Sequence, residues 1–462
     1  MKFPCILSIC FVIVLNVNAV TWPDPKNFRL TDYINYSPRT NVASNAVNNW
    51  KPKSFRQNSN PGEQSTQNNC LTDTQKRITK GINRLAVGLD YMLSKSNPNG
   101  NILVAPINVF KTLATVMLGT AGDTEKELLK MLSGLILGRK ITEGTEAFHK
   151  EMGKLLAKVT DIDPGVKFGT NINIAGGVFV QKGFQIKQRF IEMAKSIYRS
   201  DVTELDFLND GTNSAIAVNN WVANHTENRI KELIQPPIDP TTKLIVAGAL
   251  YFNGDWEFPF FLKATKWQPF YLGDGKDETN TVQVQMMVGQ ALIPYYEDKE
   301  VGYQAIGLPY KNRSVYMYVV LPRQNTSLKQ LTTRFMHNDF TNIVEKSKPS
   351  EVFYVMPKMQ LENKINLRSP LEYLGVRSLF NPSKANFTNI ADAQIYASEI
   401  LHKVEMDVNE IGTTASAATA TTVNRGGYIN FRADRPFFLF IYNVKAEVMT
   451  FWASIQKPTP FQ

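Results

Sequence analysis

The amino-acid sequence predicts an α+β fold. Amphipathic helical patterns dominate the first part of the chain after residue 70, and apolar runs of strand length follow at 244–252, 315–321 and 437–442. The two patterns mix without a regular strand–helix–strand repeat, which argues against an α/β fold. Of the 462 residues 43% are hydrophobic, and no obvious linker divides the chain after residue 70. We therefore expect one large domain over residues 71–458.

The N-terminus has the features of a secretory signal peptide over residues 1–19. Lys2 precedes an apolar run at 3–15, and the segment ends on small residues at Ala19. That run is shorter than the roughly 20 residues needed to span a bilayer, which favours cleavage after Ala19 over a retained anchor. No later segment reaches transmembrane length, so we expect a secreted, extracellular protein that does not act at a membrane.

Residues 20–70 are polar and rich in Asn, Ser and Pro. Such a composition cannot bury enough apolar surface to offset its ordering entropy, which predicts a flexible extension. The residues leave open whether it is a plain tail or an arm that binds a partner. Cys5 and Cys10 leave with the signal peptide, so Cys70 is either an unpaired surface thiol or one half of an intermolecular disulfide.

The domain begins with three helical patterns. The first starts near Thr72, and its apolar face carries Ile78, Ile82, Leu85, Leu89 and Met92. The second is predicted over residues 125–132, with Thr124 as its N-cap and acidic residues in its first turn. The apolar face of the third carries Phe148, Met152, Leu155, Leu156 and Val159.

Strands follow the helices. The segment 177–183 has the pattern of a strand that leads into a turn. The continuous apolar run at 244–252 predicts a strand that is covered on both faces, and the runs at 315–321 and 437–442 are equally strand-like.

The sequence contains no convincing enzyme motif, although the members of a Ser/His/Asp triad need not be adjacent in a sequence. The chain has four His (His149, His225, His337 and His402), and none of them lies in a metal-ligand spacing. We find no phosphate-binding glycine loop and no nucleophile elbow, so we expect no metal, no cofactor and no enzymatic activity. The formal net charge of +10 suits anionic partners such as sulfated glycans, and we expect neither nucleic-acid binding nor an oligomer.

One stretch near the C-terminus is unlike the rest of the chain. Residues 410–427 read EIGTTASAATATTVNRGG, and no charge or proline occurs between Ile411 and Asn424. Thr and Val favour strands, but the segment lacks the large apolar anchors of a core strand. This composition predicts an exposed segment that can join a sheet later. Arg425 is the first basic residue after the neutral run and is followed by two glycines, which favours it as a protease cleavage point.

Ordered motifs along the chain resemble those of the serpin family over about residues 71–458. They are NILVAPINV at 101–109, LGTAGDT at 118–124, VFVQKGF at 178–184, NNWV at 219–222, LYFNGDW at 250–256, GLPY at 307–310, LGV at 374–376 and FRADRPFFLFI at 431–441. The resemblance implies a large central, mostly antiparallel sheet with further sheets, about nine helices and an exposed reactive-centre loop at about 410–430.

The resemblance also implies a function for that loop. In serpins a serine protease cleaves the loop, which then inserts as a strand into the main sheet while the protease is held as an acyl-enzyme. The hinge positions are Glu410, Gly412, Thr413, Ala415, Ser416, Ala417 and Ala418, which are small and uncharged from Thr413 onward. Gly412 and Arg425 are 13 positions apart, so insertion would carry the cleaved end roughly 43 Å along the sheet.

Two ways of counting place the cleaved bond differently. The usual distance of 14 positions from the hinge glycine gives Gly426, whereas counting back from Pro436 gives Arg425. We choose the Arg425–Gly426 bond, because arginine offers a charge and bidentate donors to an acidic specificity pocket. The expected partner is therefore a trypsin-like serine protease in a covalent complex.

Beneath the main sheet, serpins commonly carry a polar cluster that governs sheet opening. This chain keeps His402, but Ala105, Asn108 and Gly248 stand at the other positions of the cluster. We predict that Asn108 hydrogen-bonds His402 and that the small Ala105 and Gly248 make room for it, since a buried His without a partner is costly. Trp256 matches the aromatic residue at the point where the loop begins to insert.

Further candidate sites lie on the surface. Lys150, Lys154 and Lys158 lie on one helical face that binds heparin in some serpins, although Glu143, Glu146 and Glu151 are interleaved with them. The alternatives are a site for a heparin-like glycosaminoglycan and a plain solvated face. Sequons at Asn35, Asn224, Asn312, Asn325 and Asn386 predict a glycoprotein.

The expected function is that of a suicide-substrate inhibitor in an extracellular proteolytic cascade. The competing hypothesis is a non-inhibitory serpin that acts as a carrier, storage or binding protein.

Overall fold

The computed structural model describes residues 70–135, 144–160, 171–273, 277–324, 326–337, 341–412 and 427–460. Within these ranges the chain forms nine α-helices and fourteen strands, in agreement with the predicted α+β class. The helices are α1 (Asp73–Ser96), α2 (Pro106–Gly119), α3 (Gly122–Leu135), α4 (Gly144–Thr160), α5 (Gln188–Tyr198), α6 (Gly211–His225), α7 (Leu328–His337), α8 (Thr341–Lys346) and α9 (Arg368–Tyr373). Three short 3₁₀ helices occur at Leu262–Ala264, Lys311–Arg313 and Ser378–Phe380.

Nine strands form the larger sheet. They are β1 (Ile102–Val104), β5 (Lys266–Tyr271), β6 (Thr281–Asp298), β7 (Tyr303–Pro309), β8 (Val315–Pro322), β9 (Lys348–Pro357), β12 (Ile429–Arg432), β13 (Phe437–Asn443) and β14 (Val448–Ile455). The strand order is β1-β14-β13-β8-β7-β6-β9-β12, with β5 also paired to β6. Every described pair is antiparallel except β12 with β9.

Five strands form the second sheet in the order β10-β11-β4-β2-β3. They are β2 (Asn171–Gln181), β3 (Asp201–Leu205), β4 (Leu244–Asn253), β10 (Met359–Asn366) and β11 (Glu399–Val408). The pairs β10–β11 and β2–β4 are antiparallel, whereas β11–β4 and β2–β3 are parallel. Each of the predicted strand segments therefore lies in a strand of one sheet or the other.

The predicted apolar faces point into the core. In α1 the side chains of Ile78, Ile82, Leu85 and Leu89 are buried, while Met92 is partly buried and packs against the same core. Thr72 caps this helix, since its hydroxyl accepts a hydrogen bond from Gln75 N at 3.1 Å. All residues of β8, β13 and β14 are buried, which explains their continuous apolar sequences.

The start of α3 differs from the prediction. The helix begins at Gly122, so Thr124 lies inside the first turn and is not its N-cap. Gly122 has φ +60°, a conformation that glycine adopts without strain, and this lets the chain enter the helix earlier. The Thr124 hydroxyl instead accepts a hydrogen bond from Asn386 N at 3.1 Å.

Candidate functional site

The parallel pair β4–β11 forms a seam at the centre of the five-stranded sheet. Its register runs from Glu399 opposite Ile245 to Glu405 opposite Tyr251. The chain leaves β11 at Val408 and enters the predicted loop after Gly412. A chain that turned back at this point would run antiparallel to both seam strands. A strand placed between them would therefore replace one parallel ladder by two antiparallel ladders, which are slightly more stable per residue.

The first residues after β11 (residues 409–412), which contain the described hinge positions and are called the hinge from here on, are held by hydrogen bonds. The Asn409 side-chain oxygen accepts from Ile411 N at 3.0 Å and from Gly412 N at 3.1 Å. Trp256 N donates to Ile411 O at 3.0 Å, and Phe260 N donates to Glu410 O at 2.8 Å. The hinge is thus fixed to the segment that follows β4.

Glu410 anchors the hinge by its side chain. Only 7% of Glu410 is exposed, and its carboxylate forms an ion pair of 3.0 Å with Lys358 and accepts from the Thr265 hydroxyl at 2.9 Å. Burial opposes ionisation, but hydrogen bonds from its own backbone N–H, from Lys358 and from Thr265 together hold the pKa of Glu410 below its usual value. The charge of Glu410 is therefore compensated within the fold.

Gly412 is already paired with the end of β4. It forms an antiparallel bridge with Asp255, the first step of the strand direction that insertion would require. Its φ is +121°, and a Cβ atom at this position would lie 2.1 Å from Gly254 O. Only glycine fits this backbone conformation and this close approach without strain.

Trp256 packs beside the hinge. The residue is 2% exposed, and its indole N–H donates to Asn409 O at 2.8 Å. Its ring stacks on Tyr310 with centroids 4.3 Å apart. Trp256 therefore binds the hinge backbone and also fills the core beneath it.

The predicted hydrogen bond between Asn108 and His402 is wrong. His402 Nε2 accepts from Ala105 N at 3.0 Å, so the backbone at the start of α2 supplies its partner. The Asn108 side-chain oxygen accepts from the Thr112 hydroxyl at 3.3 Å, one helical turn away. Within the described residues His402 Nδ1 and Asn108 Nδ2 both lack a partner.

Gly248 does make room for Asn108. A Cβ atom on Gly248 would lie 2.7 Å from the Asn108 side-chain oxygen and 2.7 Å from the Thr112 hydroxyl. His402 lies opposite Gly248 in the seam, and burial lowers the pKa of His402 to about 3. His402 is therefore neutral at physiological pH and does not act there as a proton switch.

A cation that spans the seam was not predicted from the sequence. Arg229, in the segment between α6 and β4, lies 3.4 Å from the Asp407 carboxylate on β11. The same guanidinium lies over the ring of Tyr251 on β4, 5.5 Å from its centroid. Lys403 of β11 adds a bond of 2.9 Å to Glu232 O in the same segment. We call the contacts of Arg229 with Asp407 and Tyr251 the seam staple, because they join both seam strands.

The predicted lysine stripe on α4 is only partly free. Lys150 is exposed, but Lys154 forms an ion pair of 2.7 Å with Glu151. Lys158 donates to Cys70 O at 3.3 Å and to the Gln75 side chain at 3.5 Å. Two of the three charges are therefore engaged by the protein itself.

The sequons differ in exposure. Asn224 and Asn312 are exposed, at the end of α6 and in a turn respectively. Asn386 is partly buried, and its side-chain oxygen accepts from Thr388 N at 3.2 Å and from the Thr388 hydroxyl at 2.8 Å. Asn35 and Asn325 lie outside the described residues.

Several predicted features also lie outside the described residues. They are the signal peptide, the extension up to residue 69, and the loop positions Thr413, Ala415, Ser416, Ala417, Ala418, Arg425 and Gly426. Cys70 is described and has a free, exposed thiol. Across the described ranges no helix is long and apolar enough to cross a membrane, and no group of His, Cys, Asp and Glu could hold a metal ion.

The seam and its anchored hinge are the arrangement expected of a protein class in which the five-stranded sheet accepts a further strand from its own chain. A family model described as "Serpin (serine protease inhibitor)" matches residues 80–458. The chain therefore belongs to the serpin family.

Relatives span nearly the whole described domain. Leukocyte elastase inhibitor of Bos taurus is 30% identical over 397 residues, which cover 83% of this chain and 100% of that protein. The solved structure of native protease nexin-1 with heparin has a TM-score of 0.72 and 26% identity, and the match covers 84% of this chain and 100% of that one. The solved structure of Serpin48 of the insect Tenebrio molitor has a TM-score of 0.71 and 24% identity, and the match covers 83% of this chain and 98% of that one.

Proposed function

We propose that this serpin is a secreted suicide-substrate inhibitor of a trypsin-like serine protease. One observation carries the proposal: the hinge is fixed at the end of a parallel seam and leads directly into a neutral segment of small residues. Such a segment can enter the seam without burying a charge, which would cost several kcal/mol if unpaired. The inhibitory names of relatives such as leukocyte elastase inhibitor support the same function.

The mechanism starts as ordinary proteolysis. The hydroxyl of the protease serine attacks the carbonyl carbon of Arg425, and the bond to the nitrogen of Gly426 breaks as that nitrogen takes up a proton. Arg425 is then joined to the protease as an ester. The freed segment enters the seam between β4 and β11 and carries the protease roughly 43 Å along the sheet before water hydrolyses the ester. The uncut protein is kinetically rather than thermodynamically stable.

Arg425 sets the specificity in this proposal. Its guanidinium offers planar, bidentate donors to a carboxylate at the base of a protease pocket, which a glycine at the same position cannot do. The proposed target is therefore a protease that cleaves after basic residues, whereas the Bos taurus relative is named as an inhibitor of leukocyte elastase.

The test is formation of a covalent complex with trypsin. We expect a band that withstands hot detergent, together with a released C-terminal fragment that begins at Gly426 by mass spectrometry. Arg425→Lys is the matched control and should keep the complex, whereas Arg425→Ala should abolish it. A fragment that begins at Arg425 or Gly427 would refute the assigned bond. Cleavage of the wild type without a stable complex would instead support a non-inhibitory carrier, storage or binding protein.

Secretion and glycosylation are part of the proposal. When the full chain is expressed in a secreting eukaryotic cell, we expect the protein in the culture medium with Val20 as its first residue. Treatment with a glycosidase should lower the mass of this protein. Asn312→Gln should remove one glycan increment, because Asn312 is exposed in a turn. Retention of the protein in the cell with residues 1–19 intact would argue against this localisation.

Glycosaminoglycan binding is a secondary candidate. The basic net charge of +10 and the exposed Lys150 support it, and heparin occurs in the nexin-1 structure, a relative of 26% identity. Replacing Lys150, Lys154 and Lys158 by Ala should lower the salt concentration at which the protein elutes from a heparin column. Lys95→Ala on α1 is the control. Elution unchanged by the triple replacement would remove this stripe as the site.

A further inference from the structure

A cavity of about 510 Å³ lies between helices α4 and α5 and the sheet edge, away from the hinge and the seam. Its walls include the apolar side chains of Leu156, Ala157, Ile174, Met193 and Ile197. The volume falls in the range of natural small-molecule sites, roughly 300–1,000 Å³. We call it the α4–α5 cavity.

A buried cation lies at the cavity. Lys111 of α2 lines it and is only 2% exposed, and among the described residues its ammonium has one hydrogen-bond acceptor, Ile174 O at 2.8 Å. An ammonium group has three donors, so two remain for another acceptor. Gly176 of β2 provides the room, because a Cβ atom there would lie 3.1 Å from Lys111 Nζ. A buried lysine next to an apolar cavity is costly unless an anion compensates it.

We propose that the α4–α5 cavity binds a small amphipathic anion, a carboxylate with an apolar body of about ten carbons. The carboxylate accepts hydrogen bonds from Lys111 Nζ, and the apolar body lies against Leu156, Met193 and Ile197. Lys150 and Arg199, which are exposed, also line the cavity and add positive charge for an anion, whereas Lys154 is paired with Glu151.

The depth of Lys111 selects a small ligand rather than a polysaccharide. A heparin-like chain can contact the exposed Lys150, but it cannot reach an ammonium that is 2% exposed. The proposal also stands apart from protease inhibition, because the ligand binds the uncut protein with no protease present.

The charges around Lys111 predict a proton signature. Burial lowers the pKa of Lys111 to about 7. The negative charge of Asp201 acts to raise this pKa, and the positive charge of Arg199 lowers it further. Burial also lowers the pKa of His149 to about 4 and raises the pKa of Tyr198, so neither of these residues titrates near neutrality. Glu146 is the carboxylate that lines the cavity. At pH 8 the Lys111 amine is mostly neutral in the free protein, and a bound carboxylate favours its charged form. Ligand binding at pH 8 should therefore be accompanied by uptake of close to one proton by Lys111.

The test is calorimetric titration of the full chain with sodium decanoate, and with decylammonium as a probe of the same length and opposite charge. We expect one decanoate per chain, no comparable binding of decylammonium, and proton uptake at pH 8 that becomes small at pH 6. Proton uptake is read from titrations in buffers of different ionisation enthalpy. Absence of decanoate binding at millimolar concentration, equal binding of both probes, or no proton uptake at pH 8 would each overturn the proposal.

Variants separate the cavity from the general surface charge. Lys111→Met keeps the length of the side chain and should weaken decanoate binding about tenfold or more, since hydrogen bonds to charged groups are strong. Ala157→Trp fills the cavity from α4, leaves the Lys111 residue itself in place and should have the same effect. Lys130→Met, on the exposed face of α3, is the matched control and should bind as the wild type does. Unchanged affinity in Ala157→Trp would place the ligand elsewhere and refute the assignment, even if Lys111→Met does not fold.

Discussion

Replacing Gly412 by alanine tests how the hinge is held at the end of β4. The substitution adds a single methyl group, which would lie 2.1 Å from Gly254 O and 2.6 Å from Asp255 Cα. The backbone φ of +121° is also strained for any residue with a Cβ atom. The hinge must therefore move away from Gly254 and Asp255 to accommodate alanine.

The cost follows from the contacts that this movement breaks. Backbone strain of this kind costs about 1–3 kcal/mol. The hydrogen bonds from Trp256 N to Ile411 O and from Gly412 N to Asn409 contribute about 1 kcal/mol each. Releasing the hinge breaks these two bonds, and the energy lost is similar to the strain energy that the release removes. We expect the docked hinge to be destabilised by about 2 kcal/mol relative to the released one. In an inserted strand, by contrast, alanine is extended and unstrained.

Hydrogen–deuterium exchange measures the release directly. An opening made about 2 kcal/mol easier should speed exchange of the Trp256 and Gly412 amides roughly 30-fold. In the proposed mechanism the hinge leaves its docked position before the loop inserts. Spontaneous conversion to an uncut inserted form during warming should therefore be faster by up to the same factor, followed by loss of trypsin inhibition.

Gly427→Ala is the matched control for this prediction. Gly427 is exposed, and a Cβ atom there would meet nothing within 4 Å. This variant should leave both exchange and conversion unchanged. Exchange at Trp256 that is equally slow in Gly412→Ala and in the wild type would refute the reasoning about the hinge.

Three further predictions concern the seam and the core. Asp90 of α1 is buried, and its carboxylate accepts from the Ser454 and Thr332 hydroxyls. Burial raises the pKa of Asp90 from 3.8 to about 6, so the native protein binds more protons than the unfolded chain between these pH values. The free energy of unfolding therefore falls by about 3 kcal/mol as pH rises through this window. Asp90→Asn should remove that part of the pH dependence and raise the urea midpoint at pH 7.5; equal slopes from pH 4 to pH 6 in both proteins would contradict it. Gly248→Ala should lower the melting temperature by its clashes with Asn108 and Thr112. The double variant Gly248→Ala/Asn108→Ser should recover part of the loss, because the contact with the Thr112 hydroxyl remains, whereas fully additive losses would show that Asn108 does not take part in the clash. Arg229→Met should speed insertion of the loop about two- to fivefold, because it removes a partly exposed ion pair with Asp407. Lys231→Met is the control. An unchanged insertion rate in Arg229→Met would show that the seam staple does not contribute to the barrier against opening the seam.

Local patterns in the chain were sufficient for the fold class and for most elements. The helical face from Ile78 to Leu89 and the apolar runs within β4, β8 and β13 follow directly from the periodicity of burial. The neutral segment after the hinge is likewise a property of composition, because small uncharged residues are required wherever a chain must enter a packed sheet.

The partners of polar groups were decided only by the tertiary structure. His402 accepts from the backbone of Ala105 and Asn108 interacts with its own helix, since hydrogen-bond geometry depends on where α2 lies against the seam to within a few tenths of an ångström. The seam staple joins Arg229 to Asp407, residues 178 positions apart, and no periodic pattern marks either of them. The α4–α5 cavity also depends on the tertiary structure. Lys111 lies on an apolar helix, and its ammonium fits at the cavity because Gly176, on a strand far along the chain, has no side chain there.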